Sequence, residues 1–62
     1  MKERIIFHFI IVDENHTRVG YGFSTKRYLE KVLLKVFQDG YTIEIVFYVS
    51  ESFKDQYCIV YD

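Results

Sequence analysis

The sequence predicts an α+β fold: one domain over residues 1–62, in the order β-β-α-β-β, with a four-stranded antiparallel sheet of order 2-1-3-4 and one helix packed on one face. Three observations predict it. Segments rich in β-branched and aromatic residues are bounded by polar turns. One central segment repeats its apolar residues at helical spacing. And 62 residues leave room for a single core.

Arg4 to Val12 is the first strand. Ile5, Phe7, Phe9 and Ile11 fall on one side, Ile6, His8, Ile10 and Val12 on the other. Both sides are largely apolar, which marks a central strand covered twice. Asp13 to Thr17 is a polar turn. Arg18 to Phe23 follows as a second strand, where Gly20 and Gly22 weaken the interior and point to an edge position, a bulge or a close backbone approach.

The helix comes next. Ser24 or Thr25 caps its start, and Gly40 stands where a left-handed terminating residue belongs. Between them Tyr28, Leu29, Val32, Leu33, Val36 and Phe37 form one apolar stripe. Tyr41 to Val49 alternates as a third strand, with Ile43, Ile45 and Phe47 set against Thr42, Glu44, Val46 and Tyr48. Ser50 to Asp55 is a polar turn around Phe53, and Gln56 to Tyr61 is a fourth strand. A helical crossover that skips the first strand places the first and third strands, the two most apolar, in the middle of the sheet.

Half of the residues are hydrophobic, including six Phe and six Tyr, which is too apolar for a disordered tail. Aromatic side chains each bury a large area and fill a small core efficiently. The net charge of −1 argues against a dedicated nucleic-acid binder. Cys58 is the one cysteine, so no disulfide framework exists, which fits a reducing compartment and a cytoplasmic location. The apolar run after Arg4 is interrupted by His8 and followed by Asp13 and Glu14, unlike a signal peptide, and it is too short to span a bilayer. No membrane association is expected.

One helix covers one sheet face. The other face is expected to display Ile6, His8, Ile10, Val12, Glu44, Val46 and Tyr48, extended by residues of the fourth strand such as Cys58 and Val60. Such a face spans on the order of 300–500 Å², and covering it is worth several kcal/mol, comparable to the stability of a small domain. A partner is therefore expected: a second copy of the chain in a symmetric homodimer, another protein, or both. Pairing along an unprotected edge strand is a further route, most naturally along the strongly β-forming fourth strand.

A second candidate surface is the outer helix face, where Lys26, Arg27, Lys31 and Lys35 surround Leu34. It reads first as a solvated helix face. A nucleic-acid reading would use it together with exposed tyrosines such as Tyr41 and Tyr48 as stacking surfaces. The junction Tyr21-Gly22-Phe23-Ser24-Thr25-Lys26 resembles the strand-to-helix junction of the arm-type DNA-binding domains of phage integrases. Those domains carry basic strands, whereas these are apolar or acidic, so no function follows from the likeness.

Chemistry is sparse. His8 and Glu44 fall on adjacent central strands of the predicted sheet and could form an acid–base pair, but a flat sheet gives no pocket. Cys58 beside His8 reads as a small buried apolar group. His8, His16 and Cys58 lack metal-ligand spacing, and Gly20-Tyr21-Gly22 lacks the context of a phosphate loop. No catalytic, metal or cofactor site is expected. The expected function is a small non-enzymatic protein-interaction module, of the kind that phages and mobile elements encode as regulators or inhibitors. The alternatives are a nucleic-acid-binding accessory protein and a small dimeric enzyme with an interface site built from His8, Glu44 and Cys58.

Overall fold

The computed structural model describes residues 3–52 and 54–62. Met1, Lys2 and Phe53, the last of these at the centre of the expected polar turn, lie outside the described residues. The elements are β1 (Glu3–Val12), β2 (Arg18–Thr25), α1 (Lys26–Gln38), β3 (Thr42–Ser52) and β4 (Tyr57–Tyr61). The element order is the expected one. All three strand pairs are antiparallel, as expected.

The strand order is not the expected one. It is 3-1-2-4, so β1 and β2 are central and β3 and β4 are the edges. The expected order 2-1-3-4 put β3 inside because it is apolar on both sides, and β2 outside because of its glycines. The glycines act in the opposite sense. A Cβ at Gly20 would fall 2.4 Å from the Val60 carbonyl oxygen, and one at Gly22 would fall 2.1 Å from that of Cys58. Bare backbone is what lets β4 settle against β2. With β4 on β2, β3 has no outer neighbour among the described residues.

Two irregularities shape the sheet. Between β1 and β2 the register shifts at Ile11/Val12, where Val12 pairs with Arg18 and Val19 is passed over. Between β1 and β3 it shifts at His8/Phe9: His8 pairs with Phe47 and Phe9 with Ile45, so Val46 is the extra residue of a bulge. β3 also runs to Ser52, past the expected end at Val49, because Glu3 to Ile5 of β1 supply pairing partners and the Ser50 hydroxyl donates to the Glu3 carboxylate (3.2 Å). The β1–β3 ribbon extends beyond the shorter β2 and β4. The molecule is accordingly long, about 40 × 18 × 15 Å.

The turn between β1 and β2 is organised by one carboxylate. Asp13 Oδ1 accepts from the backbone N–H groups of Asn15 (2.8 Å) and Thr17 (3.0 Å), and His16 adopts φ 62°. At the start of α1, Thr25 holds the cap position, but its side chain makes no cap hydrogen bond and its hydroxyl is buried without a partner among the described residues. Ser24 instead donates to the Thr25 carbonyl (2.8 Å). The other end matches expectation: Gly40, at φ 90°, donates to the Phe37 carbonyl and Tyr41 to that of Val36, a Schellman closure.

The core lies between α1 and the sheet. Phe9 and Ile11 pack against Val32 and Val36, all fully buried, with Val19, Tyr41, Ile43 and Ile59 around them. The predicted helix stripe is only partly used. Tyr28 and Leu29 are half-buried, but Leu33 is 45% and Phe37 73% exposed. The stripe is wider than the surface the sheet offers, so one flank of the helix overhangs β3.

Candidate protein-interaction surfaces

The expected open face is partly reorganised by the bulge. On β1 the alternation is unbroken: Phe9 and Ile11 contact the helix, so His8 lies on the opposite side. Beside His8, Phe47 stacks on its ring at 4.8 Å and 7°, while Tyr48 lies against Phe7 (5.9 Å). Phe47 therefore belongs to the open face and Tyr48 to the helix side, the reverse of the expected assignment. Skipping Val46 flips the parity of everything after it. Glu44, paired with Ile10, stays on the open face.

That face is also less open than expected. Ile6 (1% exposed) and Val12 (2%) are fully buried, and His8 and Ile10 are half-buried. Phe23 extends the aromatic strip on the β2 side of His8 (6.0 Å). Cys58 and Val60, partners of Phe23 and Tyr21, are half-buried beyond it. Of the expected interface residues, only Glu44, Val46 and Tyr48 are exposed, and all three are on β3.

The candidate acid–base pair is not assembled. Glu44 meets His16 of the β1–β2 turn instead (Nδ1 to Oε1, 3.3 Å), both well exposed, while His8 is held between Phe23 and Phe47. Phe23 stands between the strand positions of His8 and Cys58. Among the described residues no group of His, Cys, Asp and Glu is arranged to hold a metal ion, and no helix is long and apolar enough to cross a membrane.

The outer helix face is exposed at Lys26, Arg27, Lys31, Leu34 and Lys35, as expected. Part of its charge is engaged internally. Arg27 reaches Asp55 (3.6 Å), which also meets Arg4 (3.5 Å), and the Lys31 ammonium sits over the Tyr57 ring. Leu34 is 57% exposed but not isolated. With Leu33, Phe37, Tyr41, Thr42 and Ile43 it lines an apolar groove between the overhanging helix flank and the start of β3.

At the far end of the helix, the Tyr61 hydroxyl donates to the Asp39 carboxylate (2.6 Å). Its pKa is pushed up to about 12, first by desolvation, then by the hydrogen bond and the negative charge of Asp39, and last by neighbouring Tyr41.

The surface that sequence reasoning missed is the edge of β3. Ile45, Val46, Phe47 and Tyr48 are each more than half exposed and Val49 is 36% exposed, on an eleven-residue strand with no outer neighbour among the described residues. The signal was present in the run Ile45 to Val49, but continuous apolarity is also what a buried strand shows. No protein-family model matches the chain, and neither a curated protein nor a solved structure does.

Proposed function

We propose that this chain is a non-enzymatic protein-interaction module that recruits its partner by strand addition along the free edge of β3. One observation carries this: β3 presents a long, proline-free edge with five consecutive large apolar or aromatic residues exposed. Natural sheets protect such edges with prolines, bulges, charges or covering segments, because unpaired N–H and C=O groups template pairing with another chain. Here the protection is slight. Glu44 and Glu51 are the only charged residues of the strand, and the bulge at Val46 is the only kink. Strand addition takes its affinity from main-chain hydrogen bonds and its selectivity from alternate side chains. A small regulator or inhibitor that captures a protein in a reducing compartment fits this mode, and no step of it calls for a cofactor.

The test uses the intact chain immobilised at low density, with a displayed library of strand-length peptides. Binding that is lost with Tyr48→Lys and kept with Lys31→Glu supports the edge. Binding that survives Tyr48→Lys but falls with Lys31→Glu, and weakens steeply with salt, would replace it with the nucleic-acid or acidic-partner reading of the helix face.

A further inference from the structure

Resting on the β3-edge reading, we infer that the strand added to β3 is the β3 of a second copy, paired antiparallel about a two-fold axis between Val46 and Phe47. The bulge is what selects a copy over an unrelated strand. It divides β3 into two arms of opposite parity. Ile43 and Ile45 lie on the helix side in the first arm, whereas Tyr48 and Ser50 lie there in the second. A regular strand keeps one parity along its length. Laid on this edge, it would match both arms only by leaving Val46 without an opposite residue, as β1 does.

A second copy carries the same break in the same place. With the axis between Val46 and Phe47, Thr42 meets Glu51 of the copy, Ile43 meets Ser50, Glu44 meets Val49 and Ile45 meets Tyr48. The members of each pair share a sheet face, and the two bulges meet at the axis. No carboxylate stands directly opposite another, which is the arrangement that cross-strand pairs favour. The two Ile45–Tyr48 pairs fall on the helix side, next to Ile43. Each Tyr48 ring is thereby placed beside the groove of Leu33, Leu34 and Phe37, which gives that overhanging flank an apolar neighbour. A net charge of −1 per chain sets little repulsion against association. The result is an eight-stranded sheet with β4 at each end, and an isologous interface of the commonest symmetry.

The experiment measures molar mass by light scattering from low micromolar to near-millimolar chain, for the wild type and for Tyr48→Lys and Val46→Lys, each checked for folding by circular dichroism. A wild-type dimer is expected, with the dissociation constant raised roughly a hundredfold in each folded variant, because symmetry places each new charge at the interface twice. Register is read by disulfide cross-linking in a Cys58→Ser background. A mixture of Ile45→Cys and Tyr48→Cys chains should link as a heterodimer, whereas Val49→Cys alone should not link, given the short Cα separation a disulfide demands. A wild-type monomer throughout, a dimer unaffected by both lysines, or linkage through Val49→Cys alone would each overturn the inference. A monomer that still binds strand-length peptides through β3 would remove the self-pairing and leave the edge reading standing.

Discussion

Phe9 and Gly22 are cross-strand partners, and the ring of Phe9 fills the space where a side chain at Gly22 would stand. A Cβ there would lie 3.0 Å from the Phe9 Cε1 and 2.1 Å from the Cys58 carbonyl oxygen. One missing methyl group thus serves both the core and the seating of β4.

Gly22→Ala should therefore destabilise the domain by about 1–3 kcal/mol, the usual cost of overfilling a packed site. The damage should be local as well. Amide exchange by NMR should show Tyr57 to Tyr61 losing protection before β1 does. Uniform loss of protection, or an unchanged urea midpoint, would mean that β4 is not held by this contact.

Gly40→Ala tests a different property of glycine. Among the described residues nothing lies within 4 Å of the added Cβ, but φ is 90°. The cost should be about 1–2 kcal/mol, from the backbone alone. Denaturant unfolding should show a lower midpoint with an unchanged slope, since no buried surface is altered.

Phe9→Ala should cost roughly 3–5 kcal/mol, because the ring is 2% exposed at the centre of the cluster with Ile11, Val32 and Val36. Phe7→Ala should cost about half as much, because Phe7 is half-buried and rests on the exposed Tyr48. Equal losses in urea denaturation would show that the ribbon end of the sheet is packed as tightly as the helix-covered end.

Tyr61 links stability to alkaline pH. Its folded-state pKa, about 12, is raised above the ordinary value near 10, so between these values the native chain keeps a proton that the unfolded chain has released. The resulting stabilisation is fully present below pH 10 and is lost as pH rises through about 12. Tyr61→Phe should abolish this contribution. The difference in urea midpoint between wild type and variant should be constant from pH 7 to 9 and shrink above pH 10. A difference that stays constant to pH 12 would show that Asp39 does not hold the phenol.

The element order and core of this fold were legible because their signals are local. Val32 and Val36 keep helical spacing, Gly40 ends the helix, and Phe9 alternates with His8 along β1. Strand order was not legible, because it is decided between segments distant in sequence. Gly20 and Gly22 announce a close approach without saying which strand approaches, and β4 was the answer. On β3 the interaction face was misassigned for one reason, the extra residue at Val46. Nothing in Ile45-Val46-Phe47 marks which residue the ladder skips, yet that skip exchanges Phe47 and Tyr48 between faces. The helix stripe predicted Phe37 as core because periodicity reports which way a side chain points and not whether the sheet reaches under it.

The order 3-1-2-4 also sets how the chain can assemble. β1, β2 and α1 are contiguous and can form early, but both outer strands come from the last part of the chain. Glu3 must find Ser52 across almost the whole sequence before the β1–β3 ribbon closes. Closing such distant contacts ahead of any compensating burial slows folding, on the order of milliseconds to seconds for topologies of this kind. During that interval β1 shows an unpaired apolar border of its own, so premature pairing between nascent chains is the principal kinetic hazard this architecture carries.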